Sequence, residues 1–278
     1  MIPLYFETKP NGVPLLSNRD IELDAVAILK DFNPSLLTAP GPIDIERFTE
    51  SYLDLNLDFN WLSNNQTMLG RMVFHNTIIP VYNPSVKIAE DFPVKANTVI
   101  IDNSLLDIEV LLRSTIAHEC GHAIYHRSFY DRTANVAQTA ACTAHDIHMQ
   151  DNEHRLTTDH DWLEHHAKRF SAAILMPYPA VRIVCREYAE YLNLWYRKEP
   201  KLSNHLMAHR LASVFKVSVA SARIRLRQLH LDKQIQAKPS PVVYSQGRKV
   251  LTLANMTEDD LARLDEERDD RLFEQYYG

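Results

Sequence analysis

The order of the predicted elements indicates an α+β fold. Apolar residues with helical spacing predict amphipathic helices over 19–32 and 43–55. β-Branched and aromatic residues then predict strands over 70–84 and 97–102. Helical patterns return after these strands and continue to Leu231. The sequence therefore predicts a short antiparallel sheet that is preceded and followed by helices.

The strand segment 70–84 has the pattern of a hairpin. Asn76 and Thr77 form the predicted turn between two runs of β-branched and aromatic residues. Pro80 lies in the second run and has no backbone N–H to donate, so that run is predicted to be an edge strand or the end of one. After the next strand, Ser104 is the predicted N-cap of a long helix that runs to about His126.

The composition is typical of an ordinary globular protein. Of 278 residues, 45% are apolar and 24% are charged, and the net charge of −6 does not by itself indicate nucleic-acid binding. The first residues lack the segments of a signal peptide, and no apolar run approaches the length of a membrane span. The 3 cysteines are scattered, which argues against a disulfide framework and predicts a reducing, cytoplasmic setting.

The segment 114–126, STIAHECGHAIYH, contains two histidines four residues apart with a glutamate directly after the first. On a helix, His118 and His122 face the same way and can bind one tetrahedral metal ion through their imidazoles. Glu119 lies about 100° round the helix, where it can act as a general base without binding the metal. Gly121 has no side chain and lets another element approach closely. The pattern H-E-x-x-H therefore predicts a zinc centre with hydrolytic chemistry.

A zinc site of this kind needs a third protein ligand, and Glu164 is the leading candidate. It shares one face of the helix that is predicted to begin at Asp161 and to end before Pro177 with the apolar residues Ala167, Phe170 and Ile174. A carboxylate on an inward face is costly unless it is bound to a metal or paired, for instance with a buried arginine. The rival ligands lie in a polar stretch where solvated side chains are expected: His145, His148, His154, His160, His165, His166, Asp151, Glu153, Asp159 and Asp161.

Two other residues of the motif helix have supporting roles. Cys120 lies about 200° round the helix from the histidines and is predicted to be a small buried residue that points away from the site. His126 continues the four-residue spacing but lies too far along the axis to bind the same ion. It is a candidate for supporting one of the metal ligands from behind.

Together these residues resemble the ImmA/IrrE metallopeptidases of bacteria and their mobile elements. Members of that family carry an H-E-x-x-H helix and then a helix of the form E-x-x-A-x-x-F-x-x-x-L-L-M-P, which gives the third ligand. The sequence EHHAKRFSAAILMP, residues 164–177, matches this form except for Ile174 in place of the first leucine. The segment NTVIIDNSLL and the later helices also fit, so the resemblance covers roughly residues 20–231. The segment 131–160 has the character of an insertion into the family pattern.

The resemblance implies a small α+β zincin-like metallopeptidase core and a zinc-dependent endopeptidase in the cytoplasm. It also implies the typical substrate, a helix-turn-helix repressor of the Cro/CI kind, whose cleavage derepresses phage, conjugative-element or stress genes. An extended substrate is expected to add as a strand beside residues 71–82. The residue that stabilises the oxyanion stays open among four candidates: Tyr125, His126, Tyr130 and His166.

The segment 201–230 supports an alternative function, because it has the rhythm of a helix-turn-helix. A helix is predicted to end at Phe215, with a turn at Lys216–Val217 and Ser218 as the next N-cap. The segment carries six basic residues and no acidic one, which suits phosphate binding. The alternative is therefore a DNA-binding transcriptional regulator with a structural or sensory zinc site. The candidate contacts to nucleic acid or substrate are Arg223, Arg225 and Arg227.

The favoured interpretation is that this segment completes the peptidase or docks the repressor, since the resemblance includes it in enzymes. The predicted parts of the chain are a zincin-like metallopeptidase domain over 1–180, a helical, helix-turn-helix-like subdomain over 181–235, and a linker with an acidic C-terminal helix over 236–278. Residues 257–278 carry nine acidic and three basic residues. They form either a solvated helix or a lid that docks on the basic segment.

Overall fold

The computed structural model describes residues 1–65, 67–133, 139–143, 156–196, 200–232, 244–245 and 248–249. The helices before the sheet are α1 (Asn18–Phe32), α2 (Ser35–Thr38) and α3 (Ile45–Arg47), which continues as a π-helical turn (Phe48–Tyr52). The later helices in the described residues are α4 (Glu109–Tyr125), α5 (Arg127–Arg132), α6 (Asp159–Leu175), α7 (Tyr178–Tyr196), α8 (Pro200–Phe215) and α9 (Val219–Gln228).

The main sheet has four strands, in the order β1 (Asn56–Asn60), β5 (Thr98–Asp102), β2 (Met68–Val73) and β6 (Thr139–Thr143). β1 is parallel to β5, whereas β2 is antiparallel to both β5 and β6. β5 is buried along its whole length, as expected for an apolar strand between two neighbours. The predicted α+β fold is confirmed, and the one parallel pair is a departure from the all-antiparallel sheet that the sequence predicts.

The hairpin predicted over 70–84 is wrong, because its two runs belong to different sheets. The first run forms β2, which pairs with the apolar strand β5. The second run forms β3 (Thr77–Asn83), which pairs with β4 (Ile88–Val94) in a separate two-stranded sheet. The side chain of Asn76 accepts a hydrogen bond from the Ala96 N–H at 2.8 Å, so it joins the ends of β3 and β4 instead of reversing the chain. Pro80 lies on an edge strand, as predicted.

The long motif helix begins later than the sequence predicts. Asp102, at the end of β5, accepts the N–H of Ser104 at 3.0 Å and that of Leu62 at 2.7 Å. This carboxylate therefore caps a separate 3-10 turn over Asn103–Leu105. α4 begins at Glu109, with Ile108 as an N-cap that has no side-chain hydrogen bond. The predicted N-cap Ser104 is wrong, whereas the predicted end of the helix near His126 is confirmed.

α4 lies in the core between the main sheet and α6. Every residue from Thr115 to His122 is buried, whichever face of the helix it occupies. A helix that is buried all round must have packing partners on opposite sides. Here the partners are β2 on one side and α6 on the other. None of the helices in the described ranges combines the length and the apolar character that a membrane crossing requires.

The helix-turn-helix-like elements lie at the residues that the sequence predicts. α8 ends at Phe215, and Lys216 takes a left-handed backbone conformation with φ of 52°. Ser218 is the N-cap of α9, where its side chain accepts the Ser221 N–H at 2.9 Å. The division into a separate subdomain stays a prediction. The predicted acidic helix over 257–278 lies outside the described residues.

A buried ion group joins α1, α6 and α9. Arg225 of α9 is fully buried and binds both carboxylate oxygens of Glu22 in α1. Its Nε donates to the carbonyl of Met176 at 2.9 Å, and Arg169 of α6 lies 3.4 Å from the same carboxylate. Arg225 was predicted as a contact to nucleic acid or substrate, and this prediction is wrong, because the side chain has no exposed surface. Its neighbours Arg223 and Arg227 are exposed.

Removing Arg225 should destabilise the fold strongly. The substitution Arg225→Leu leaves the buried carboxylate of Glu22 with only part of its compensation, and loss of one partner of a buried pair costs about 3–5 kcal/mol. The matched control is Arg227→Leu on the exposed side of the same helix, where we expect a change within about 0.5 kcal/mol. Urea unfolding of both variants measures the difference. Equal stability of the two variants would contradict the role given to the buried ion group.

Candidate metal centre

α4 and α6 approach each other most closely at Gly121. A Cβ atom on this residue would lie 2.9 Å from the Cα of Ala167 and 3.2 Å from its carbonyl oxygen. Both atoms belong to the backbone of α6, which cannot move away without shifting the helix. The prediction that Gly121 lets another element approach is confirmed. Glu164 lies almost one turn before Ala167, and the close packing brings it to α4.

Three side chains meet between these helices. His118 and His122 of α4 place their Nε2 atoms 3.1 Å apart. One carboxylate oxygen of Glu164, Oε2, lies 3.3 Å from His118 Nε2, and the other, Oε1, lies 3.2 Å from His122 Nε2. All three side chains are buried. The structure thus brings together the three residues that the sequence predicts as metal ligands.

The geometry of this group fits a divalent metal ion. Zinc binds nitrogen and oxygen ligands at about 2.0–2.1 Å, so the ligands of a tetrahedral site lie about 3.3 Å apart. The three separations between the donor atoms agree with this spacing. Two imidazoles and one carboxylate are also donors that zinc prefers. The group can therefore hold a metal ion with little rearrangement.

The protonation states of the group also suit metal binding. Burial lowers the pKa of His122 below its ordinary value and so favours the neutral imidazole. Burial alone would raise the pKa of Glu164, but the interactions with His122 and His118 outweigh burial and leave the pKa well below its usual range. A neutral imidazole and an ionised carboxylate are the forms that bind a cation.

Glu119 lies on the other side of α4, against strand β2. It is fully buried, and a Cβ atom on Gly70 would lie only 2.9 Å from its Oε1 and 2.6 Å from Cγ2 of Thr115. Only a glycine leaves room for this carboxylate beside the sheet. The sequence analysis did not single out Gly70, although a glycine in a strand indicates a close approach of another group. The next residue, Arg71, lies near enough for its charge to attract that of Glu119.

His126 supports His122 from behind, as the sequence suggests. The Nδ1 atoms of the two rings are 2.9 Å apart. If Nε2 of His122 faces a metal ion, its Nδ1 carries the proton and donates a hydrogen bond to Nδ1 of His126. His126 is itself fully buried, and the ring of His166 lies behind it at a centroid distance of 5.7 Å. Burial lowers the pKa of His126 well below its ordinary value, which keeps the ring neutral and able to accept.

The four residues that the sequence leaves open as oxyanion donors have different surroundings in the structure. Tyr125 donates to Asp24 at 3.1 Å, and His126 and His166 stand behind His122. Tyr130 is the remaining residue. Burial raises its pKa, and the negative charges of Glu164 and Glu119 raise it further.

The described rivals for the third-ligand position have other surroundings. Asp159 pairs with Lys9 at 2.8 Å, His165 lies 2.8 Å from Asn18, and Asp161 caps the start of α6. His160 is exposed, and His166 lies behind His126. The other rivals lie outside the described residues: His145, His148, Asp151, Glu153 and His154. Cys120 contacts Thr49 at 3.2 Å on the core side of α4, so it points away from the three ligands, as predicted.

These features define a centre of the metallopeptidase type, and comparison with known families agrees. Residues 111–227 match the family model Peptidase_M78, the IrrE N-terminal-like domain. This segment of the chain is therefore similar to that family, which supports the resemblance to the ImmA/IrrE metallopeptidases. The match begins within α4 and ends within α9, so it includes all three candidate ligands and Glu119. A comparison with curated proteins gave no match to the chain.

The hydrogen bond between His122 and His126 should affect metal affinity. The substitution His126→Leu removes the acceptor and leaves a buried N–H of His122 unpaired, and loss of such a partner weakens metal binding by about 10–100-fold. His126→Asn keeps an oxygen acceptor close to the position of Nδ1 and should retain most of the affinity. Competition with a chromophoric chelator measures both. Equal losses in the two variants would show that packing, and not the hydrogen bond, is the contribution of His126.

Proposed function

We propose that the protein is a zinc-dependent endopeptidase of the cytoplasm. The observation that carries the proposal is the buried meeting of His118, His122 and Glu164, with Glu119 on the same helix as the two histidines. In catalytic zinc sites, three protein ligands leave a fourth position open for water. The similarity to that family supports a peptidase that uses a metal ion. The three cysteines are buried and unbridged, which supports a reducing compartment.

In this proposal the residues divide the chemistry between them. His118, His122 and Glu164 would hold a zinc ion, which supplies a polarised peptide carbonyl and a water with a pKa near neutrality. Glu119 accepts a proton from the attacking water while the water oxygen bonds to the peptide carbon. Glu119 then gives this proton to the leaving amine nitrogen as the C–N bond breaks. The buried surroundings of Glu119 strengthen its interactions with the reacting groups, because they exclude bulk water.

Tyr130 is the oxyanion donor in this mechanism. Its raised pKa keeps the phenol protonated, so it can donate a hydrogen bond to the oxygen that gains negative charge. Its ring stacks on Phe74 at a centroid distance of 4.2 Å, which restricts its position. The electrostatic influence of Glu119 and Glu164 on this phenol supports the role, because the scissile carbonyl must lie beside the same two residues.

The proposed substrate is a helix-turn-helix repressor of the Cro/CI kind, and its cleavage would derepress mobile-element or stress genes. This step rests on the similarity to that family and not on the shape of the site. The family match extends to residue 227 and includes α8 and most of α9. That extent supports the interpretation that these helices complete the peptidase or dock its substrate.

The alternative of a DNA-binding regulator with a structural or sensory zinc site has less support. Of the six basic residues in 201–230, Arg225 is buried against a glutamate, and Lys216 pairs with a glutamate of α4 at 2.7 Å. Arg223 and Arg227 are exposed on the ten-residue helix α9. Arg210 of α8 is exposed as well, and its guanidinium lies over the ring of Tyr188. Three exposed arginines on two helices are a small footprint for phosphate binding.

The test uses purified protein and the repressors encoded by neighbouring genes. We expect the wild type to cleave one of them, and Glu119→Gln to retain its metal while its rate falls by about 10²–10⁴-fold. Glu109→Gln, at the exposed start of the same helix, is the matched control and should cleave normally. Mass spectrometry of the products gives the scissile bond. Cleavage at the wild-type rate by Glu119→Gln would contradict the assignment of the base.

A further inference from the structure

Strand β6 occupies the edge of β2 where a substrate would be expected to bind. β2 has β5 on one side and β6 on the other, with Arg71 opposite Ala141 and Val73 opposite Thr139. An extended peptide binds a sheet by adding a strand along an unpaired edge. No peptide can pair with β2 while both neighbours are in place. A substrate can therefore add beside the part of residues 71–82 that lies in β2 only after β6 has left that edge.

The register of β6 turns one cysteine towards the metal centre. Cys142 lies directly opposite Gly70 in the antiparallel pair, and residues in such a pair share a face of the sheet. Gly70 faces α4, because a Cβ atom on it would touch Thr115 and Glu119. Cys142 therefore faces α4 too, and it is fully buried.

The thiol of Cys142 lies close to two residues of the candidate centre, His118 and Glu119. A ring nitrogen of His118, a carboxylate oxygen of Glu119 and Sγ of Cys142 all lie within 4.8 Å of one another. This group shares His118 with the three-ligand group described above. A cysteine has one side-chain torsion between its backbone and its sulfur, so a change of rotamer moves the sulfur without moving the strand. Sulfur is also among the preferred ligands of zinc.

We propose that β6 is an internal inhibitory strand and that Cys142 closes the metal centre as a fourth protein ligand. The inference rests on the proposed function, because it needs the centre formed by His118, His122 and Glu164. A zinc site with four protein ligands is of the closed, structural kind and has no position for the attacking water. The strand blocks the pairing edge at the same time. Peptide cleavage then requires β6 to leave β2.

The group of His118, Glu119 and Cys142 contains an acceptor for the proton that the thiol loses when it binds the metal. Cysteine binds metal as the thiolate, so the thiol must lose its proton when the sulfur binds. The carboxylate of Glu119 lies within 4.8 Å of the sulfur and accepts that proton. The thiolate would take the fourth position on the metal in place of a water molecule, which leaves, and no oxidant or reductant takes part.

The position of β6 in the sequence supports a regulatory role. The strand lies within the segment 131–160, which the sequence analysis identifies as an insertion between the two helices that carry the ligands. Among the described residues, β6 is the strand of the main sheet that lies between α4 and α6 in the chain. A short strand between these two helices can reach β2 beside the centre.

The test replaces zinc with cobalt(II) in the full-length protein. Cobalt shows visible d–d bands in a tetrahedral site, and a thiolate ligand adds a charge-transfer band in the near ultraviolet. We expect both signals in the wild type. Cys142→Ser and Cys142→Ala should lose the charge-transfer band and keep the d–d bands. Cys120→Ser is the matched control, because Cys120 contacts Thr49 on the far side of α4, and it should keep both signals.

Cleavage gives a second and independent measurement. If the open form of the metal centre is populated at about 10% or less, removal of the Cys142 thiol should raise the cleavage rate by about tenfold or more. We expect this rise for Cys142→Ala and not for Cys120→Ser. Visible bands without a charge-transfer band in the wild type would overturn the closure by Cys142 and leave the proposed function intact. Absence of the visible bands themselves would overturn the metal centre and the closure together.

Discussion

The close crossing of α4 and α6 is the constraint on which the rest of the structure depends. It places the carboxylate of Glu164 between two imidazoles in a buried position, where an ionised group is stable only with strong partners. The crossing exists because Gly121 leaves no Cβ in the path of the α6 backbone. A second glycine, Gly70, makes the matching space on the opposite side of α4 for Glu119. Two glycines thus leave room on two sides of one helix, one for the ligand group and one for the base.

The elements outside the centre hold these two helices in place. The buried ion group of Glu22, Arg169 and Arg225 joins α1, α6 and α9, so the helices that follow the peptidase motif brace the helix that carries Glu164. The apolar strand β5 holds β2 against α4. His126 orients His122 through their Nδ1 atoms. Each support acts on a metal ligand or on the base through at most one intervening element, which is the kind of support that a preorganised centre needs.

The sequence predicts the parts of this structure that follow from local patterns. Helical spacing placed α1, α4 and α6, and the H-E-x-x-H pattern with Glu164 on an inward face indicated the three ligands before their distances were known. Pairings between distant segments were not predictable, because local patterns do not specify the partner of a strand. The 70–84 segment was therefore assigned to one hairpin, and β6 was not predicted. The burial of Arg225 depends on Glu22, about 200 residues away in the sequence.

The most direct test of the account is a crystal structure of the purified protein with diffraction data collected above and below the zinc absorption edge. The account predicts one anomalous peak per chain, enclosed by His118 Nε2, His122 Nε2 and the carboxylate of Glu164, at about 2.0–2.2 Å from each. Such a peak would establish both the identity of the metal and its ligands. Absence of a peak there in zinc-saturated crystals, or a peak at another group of residues, would contradict the central claim.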